Sequence, residues 1–448
     1  MIRDAPAGEV RVIGMTKINV MTIAITTAAL SLMGASAPAT ATATSASAPT
    51  APLVTTGALF NDPTNPAGQN TIFSHISRLI DGAVPGSDIK ISSYVFESDW
   101  LVGRLNAAHL RGVNVQVILD SESTARQAGG PAYVALRDGL ARKTATSGNS
   151  WVRVCAQGQA CLAKDPNPND SFPSVNHNKF YLFSRTTGSS TATVPVDDVV
   201  VQTSANQTTW DREKAWNDAL TVAGNEVLHD AYASYFNKLA AAQANPALQV
   251  SDLPNDTQAG PAKAYFFPRS ADVVLNILNT VDDPVAGQPA CHGNSAGYGT
   301  ADGRTVIRIA MHQITRPEVA KKLWELDDAG CYVDIVYRKL DNTGTQIHDQ
   351  LAKPTRYGGI SLHELNDDTV AGGTATHSKY LLIEGTYKGL PDQKIVFTGS
   401  HPYTLSGLSN NDEALLKYDD TPRTPVTNSP VFDAYRENFW AQRTRADQ

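Results

Sequence analysis

At roughly 150 residues per compact unit, a chain of 448 residues has room for two or three of them. Its 42% hydrophobic content can build real cores, and 18% charged residues with 32 Gly and 25 Pro excludes a collagen-like or wholly disordered chain. A formal charge of −7 supplies no general attraction to nucleic-acid phosphates, and beyond the N-terminal region no apolar run is long enough to span a bilayer.

The first residues differ from the rest. Lys17 precedes an apolar and small-residue run from Val20 to Gly34, and Ala35-Ser36-Ala37 matches a signal-peptidase site, so residues 1–37 read as a secretory signal, with Met15 an alternative start. Residues 38–55, rich in Ala, Thr, Ser and Pro, cannot bury a core and read as a tether. Cleavage after Ala37 removes Arg3, Arg11 and Lys17 with Asp4 and Glu9, which leaves the exported chain one unit more acidic. An exported protein with four cysteines favours two disulfides. Proximity in sequence favours Cys155–Cys161 and Cys291–Cys331 among three connectivities that all stay open, and neither pair has the spacing of a structural zinc site.

The remainder is written twice. Ile89 to Phe96 reads as a strand, Trp100 to Leu110 as a helix, and Gly112 turns the chain into a strand from Val113 to Leu119. The second copy runs from a strand at Val306 to Ile314, through a helix at Glu318 to Asp328 and a turn at Gly330, into a strand from Cys331 to Tyr337. Right-handed crossovers set each pair of strands side by side. His177-Asn178-Lys179 and His377-Ser378-Lys379 follow, each with four apolar or aromatic residues behind it, and then strands that end in Ser204-Ala205-Asn206 and Ser400-His401-Pro402. Last strands open at Asn217-Asp218 and Asn411-Asp412-Glu413, and helices at Glu226 to Ala242 and Val431 to Gln442 close the two halves. The predicted architecture is α/β: two pseudo-symmetric α/β/α lobes with mixed, largely parallel sheets, over residues 56–250 and 263–448, joined by a Pro- and Asn-containing connector at 251–262.

Residues i and i+2 of a strand face the same way, so each lobe offers one imidazole and one ammonium together. If the lobes meet about a pseudo-twofold axis, His177, Lys179, His377 and Lys379 share one cleft. That set suits phosphoryl chemistry without a metal or cofactor: one His attacks phosphorus, the other moves a proton, and the lysines hold the non-bridging oxygens. The other histidines, His75, His109, His229, His292, His312, His348 and His363, read as bystanders. Trp210, Tyr181, Tyr380 and Tyr403 read as core before cleft.

The doubled motif resembles the phospholipase D superfamily, whose signature is His-x-Lys-(x)4-Asp present twice, and the resemblance runs from about Leu59 to Trp440. It departs at the signature Asp, where Ser184 and Glu384 stand, and at Pro402 in the second Ser-containing turn. The signature Asp lies about 23 Å beyond the His along an extended strand and on the opposite face, which gives it a structural role. The resemblance implies a carboxylate on each catalytic His from just before the last strand. Asp412 or Glu413 fits in the second half and Asn217 or Asp218 in the first, with Asp218 and Asp412 preferred. It implies His177 as nucleophile and His377 as general acid, with Ser204, Asn206, Ser400 and His401 as substrate-binding candidates. The expected protein is a secreted monomeric phosphodiesterase that hydrolyses or transphosphatidylates phospholipid at a membrane or micelle surface, with nucleic acid disfavoured. The rival readings are a secreted nuclease of the same superfamily and a catalytically weak binding protein that keeps the fold.

Overall fold

The computed structural model describes residues 53–126, 130–167, 173–281, 291–296, 302–341, 346–423 and 427–448, so the expected signal segment and nearly all of the tether lie outside it. Residues Pro49–Gln448 form one compact unit. Its first half carries β1 (Gly57–Phe60), β2 (Asp88–Ser93), β3 (Asn114–Leu119), β4 (Trp151–Val154), β5 (Lys179–Thr186), β6 (Val196–Thr203), β7 (Ala215–Trp216) and β8 (Asp218–Val222). The second carries β9 (Thr257–Ala259), β10 (Ala262–Phe266), β11 (Val306–Gln313), β12 (Tyr332–Lys339), β13 (Ser361–Glu364), β14 (Ala375–Thr376), β15 (Lys379–Tyr387), β16 (Leu390–Gly399) and β17 (Ala414–Asp419). Seven strands form one sheet in the order β1-β8-β6-β5-β2-β3-β4, and eight form the other in the order β13-β12-β11-β15-β16-β17-β10-β9. The chain is a mixed α/β protein. Parallel pairing within these two sheets is confined to β2-β3-β4 and β11-β12-β13, where the helical crossovers lie, and the remaining ladders are antiparallel.

The local reasons are legible. The helix Asp99–Leu110 starts where the Ser98 side chain accepts the Leu101 N–H, and the chain turns at Gly112 with φ 98°. The crossover helix of the second half, Pro317–Ala329, begins on a proline and stops at Gly330 with φ 115°. Both expected disulfides are present, Cys155–Cys161 and Cys291–Cys331. Among the described residues no helix is long and apolar enough to cross a membrane.

Strand alternation divides the interior into three cores. Tyr181 and Phe183 of β5 face the helices on the outside of the first sheet, and Leu381 and Ile383 of β15 do the same in the second. Their neighbours Phe180 and Leu182, with Tyr380 and Leu382, point into a third core shared by both halves. The helices Glu226–Ala244 and Pro430–Ala446 fill that shared layer with Tyr232, Phe236, Phe432 and Tyr435, all fully buried. Burying each such side chain contributes about 1.5–3 kcal/mol, so neither lobe keeps its stability when parted from the other.

The two positions that depart from the signature Asp are structural. Glu384 is buried among Arg308 at 2.8 Å, Arg436 at 3.4 Å and Lys394. Ser184 Oγ accepts the Asp88 N–H at 2.8 Å and so ties β5 to β2. Replacing Glu384 with Gln sets the buried Arg308 guanidinium against an uncharged amide, which is expected to cost about 3–5 kcal/mol. Urea unfolding of Glu384→Gln measures this, and activity under native conditions is expected to survive because no site residue moves.

Candidate active site

The two lobes meet along two short pairings. β14 runs parallel to β7 with Thr376 opposite Trp216, and a matching parallel bridge sets Asn176 opposite Asp412. The His377 N–H donates to the Trp216 carbonyl at 2.9 Å, and the His177 N–H donates to the Asp412 carbonyl at 2.9 Å. Each motif histidine is thereby locked against the other lobe, two residues before its own strand begins.

The side chains cross in the same way. His177 Nδ1 lies 2.8 Å from Glu413 Oε1, and His377 Nδ1 lies 3.0 Å from both Asn217 Oδ1 and Asp211 Oδ1. The lysines fold back symmetrically, Lys179 Nζ donating to the His177 carbonyl and Lys379 Nζ to the His377 carbonyl, each at 2.8 Å. One proton of each ammonium is thus committed, and two stay available for phosphate oxygens. Both lysines are fully buried. Burial, with Lys379 beside it, pulls Lys179 down to about 7; burial pulls Lys379 down to about 8 against the raising effect of Asp211 and Glu413.

The two histidine pairs differ electrostatically. Burial pushes the Glu413 carboxyl up to about 8 and, together with Lys179 and Lys379, holds His177 well below the ordinary imidazole range. This pair favours an uncharged ring. Burial also raises Asp211, but His377, the Thr208 hydroxyl and the Asn206 N–H outweigh it and hold that carboxylate below its usual range. An ionised Asp211 on Nδ1 is the partner that best stabilises an imidazolium, although the resting ring sits at about 4 through burial and Lys379. The two rings therefore sit in unlike electrostatic surroundings despite their matching geometry.

Two expected orienting residues lie elsewhere. Successive residues of an extended chain point oppositely, so when Glu413 faces His177 its neighbour Asp412 faces away. Asp412 instead accepts the N–H groups of Cys161, Leu162 and Ala163 at 2.6–3.2 Å, and so clamps the disulfide loop of the first lobe. Asp218 turns from the site for the same reason as Asn217 turns into it; its carboxylate accepts from Thr398 and from Tyr435 at 3.0 Å, in the shared core.

The expected substrate-binding residues stand mostly one layer back. Ser204 Oγ donates to Asn217 Oδ1 at 2.9 Å and so holds that orienting residue, while Ser400 is buried with its Oγ accepting the N–H of Ala414, the residue after Glu413, at 3.1 Å. The Asn206 N–H donates to Asp211 at 3.0 Å. His401 is fully buried, with its ring stacked on Phe267 at 4.2 Å. Tyr181, Tyr380 and Tyr403 are likewise buried in cores, whereas Trp210 meets the His377 ring edge-on at 5.4 Å.

His312 is the residue the sequence reading passed over. Its ring lies 4.8 Å from that of His377, and burial with His377 holds it well below the ordinary range. Tyr94 holds the matching place at 4.9 Å from His177. Both follow directly on the strand residue paired with the motif lysine, Met311 opposite Lys379 and Ser93 opposite Lys179. Superposing the two copies residue by residue makes this position visible.

A family model described as cardiolipin synthase, PLD-like domain, matches residues 76–240 and 301–441, more than half of the chain. The chain belongs to the phospholipase D-like family. Among solved structures, this phospholipase D-like chain resembles polyphosphate kinase from Porphyromonas gingivalis at 12% identity and a TM-score of 0.52, covering 86% of this chain and 50% of that one. It also resembles phosphatidylserine synthase from Haemophilus influenzae Rd KW20 at 12% identity and a TM-score of 0.51, with 83% of each chain covered. At that identity the likeness concerns the fold. The chain thus spans half the length of the polyphosphate kinase. No curated protein matches the sequence significantly.

Two predictions follow from the geometry of this phospholipase D-like site. Glu413→Gln and Asp211→Asn are each expected to lower turnover about 10²–10⁴-fold with the fold unchanged by circular dichroism. The lysines are charged below their pKa values and neutral above them. A pH profile of kcat/KM is therefore expected to fall as pH rises through about 7 to 8. The fall in kcat is expected at higher pH, because bound phosphate favours the charged ammonium groups.

Proposed function

We propose that this phospholipase D-like protein is a secreted phosphodiesterase that cleaves the distal phosphoester of a glycerophospholipid through a phosphohistidine on His177. The observation that carries the reading is the crossed pairing of His177 with Glu413 and of His377 with Asp211, beside two buried lysines. His177 Nε2 attacks phosphorus as the P–O bond to the headgroup alcohol breaks, and His377, protonated once the anionic phosphodiester offsets the burial and lysine charge that lower its pKa at rest, gives that proton to the leaving oxygen. Lys179 and Lys379 hold the non-bridging oxygens as charge gathers there. His377 then takes a proton from water, the hydroxyl attacks phosphorus, and the P–N bond breaks to restore His177. An alcohol in place of water gives transfer of the phosphatidyl group.

The lipid reading is supported by the acidic net charge, which opposes a nucleic-acid substrate, and by the shared fold of a phosphatidylserine synthase. Export is supported by two disulfides and the N-terminal signal pattern. The test compares release of headgroup from mixed-micelle phospholipid with nicking of plasmid DNA by the purified chain, alongside His177→Ala. Headgroup release that His177→Ala abolishes, with a phosphate adduct on His177 seen by mass spectrometry, is the expected result. Cleavage of DNA alone makes the protein a nuclease, and equal activity of His177→Ala removes His177 from the mechanism.

A further inference from the structure

A second group of cations lies at the far end of the second sheet. Tyr387 stands eight residues beyond Lys379 on β15, about 26 Å along the strand from the catalytic ammonium. A cavity of about 310 Å³ opens there, lined by Asp256, Lys263, Tyr265, Arg269, Tyr387 and Lys388 among others. Lys263 of β10 is set directly opposite Lys417 of β17, an arrangement in which like charges on one face of a sheet destabilise each other. Lys417 and Lys388 both lie over the Tyr387 ring, at 5.0 and 5.7 Å, and Lys263 lies over Tyr265 at 4.6 Å.

The acidic groups nearby do not balance this charge. Asp256 is shared between Lys263 at 2.9 Å and Arg269 at 2.6 Å, and Asp419 is engaged by Arg423 at 2.9 Å. Lys417 is only 7% exposed, and neither it nor Lys388 has a carboxylate at ion-pair distance among the described residues. Burial lowers the Lys417 ammonium from the usual lysine range; Asp419 opposes this, and Lys388, Lys263 and Arg423 add to it. Lys388 also occupies a left-handed backbone conformation, φ 54°, in the two-residue turn before Leu390, where Asn or Gly is the usual choice. A chain of net charge −7 that sets Lys417 opposite Lys263 and beside Lys388, next to a cavity that the latter two line, with fewer acidic than basic groups around them, is built for an anion.

We propose that Lys263, Lys388 and Lys417 form a phosphate-binding site, separate from the catalytic cleft, that takes a phosphate-bearing anion, either a soluble one or the headgroup of an anionic phospholipid. The site does not depend on the lipid substrate assigned to the cleft. Calorimetric titration of the full chain with inorganic phosphate tests it. Because the cleft binds phosphate too, the wild type is expected to take two per chain and Lys388→Gln/Lys417→Gln one. Phosphate inhibition of the hydrolysis of a small soluble phosphodiester, which reports the cleft, is expected to be unchanged. Lys388→Gln alone, at an exposed turn, does not touch the core and is expected to weaken the second phosphate about fivefold. A parallel sedimentation with phosphatidylcholine vesicles, with and without phosphatidylglycerol, separates the two sources. Vesicle binding that requires phosphatidylglycerol and weakens in the variants assigns the site to lipid, and loss of phosphate without any change in vesicle binding assigns it to a soluble anion. One phosphate per chain in the wild type, or two in the double variant, overturns the proposal.

Discussion

The site exists because two backbone hydrogen bonds cross between the lobes. The amide of His177 is held by the carbonyl of Asp412, and the amide of His377 by that of Trp216. These bonds fix where each ring begins and bring the next residue of the opposite strand, Glu413 or Asn217, into reach of its Nδ1. The lysines add a second restraint by bonding to the same histidine carbonyls. A strand start, a ring and an ammonium are therefore positioned together. The shared apolar core beneath, from Phe180 and Leu182 to Tyr380 and Tyr435, holds the boundary in place.

Within that frame the two halves have diverged in a correlated way. In the first, the Asn206 N–H secures Asp211, and the residue before the last strand is Asn217. In the second, Pro402 stands where Asn206 does and has no N–H, while Gly407 stands where Asp211 does and has no carboxylate. The donor and its acceptor are both absent, and Glu413 stands where the first half has Asn217. Each histidine consequently has one carboxylate, but from different elements and in different surroundings. One carboxylate is pushed up by burial, and the other is held down by the hydrogen bonds around it.

Most of the fold was legible because the strand–helix–strand units keep the punctuation that strands and helices require. Gly112 and Gly330 stop helices, and β5 and β15 alternate between two apolar faces. The motif residues were legible through duplication. The orienting residues were not, because face is decided by where the last strand starts. A one-residue choice between Asp412 and Glu413, or Asp218 and Asn217, reverses the direction of the side chain. Asp211 lies on a short helix that no periodicity announces, and His401 is as polar in sequence as a ligand but packs as an aromatic ring against Phe267. His312 resembles any strand-end histidine until its place opposite the first-half Tyr94 is recognised.

The fusion of two copies in one chain has a consequence beyond stability. A single-copy version would have to associate as a symmetric pair, and symmetry would give both histidines the same partners. Either could then serve as nucleophile, and the role would be drawn afresh at each turnover. With Glu413 on one ring and Asp211 on the other, the covalent repeat gives the two histidines permanently unlike surroundings. The second copy is thereby free to change a residue at the shared boundary without forcing the same change on the first.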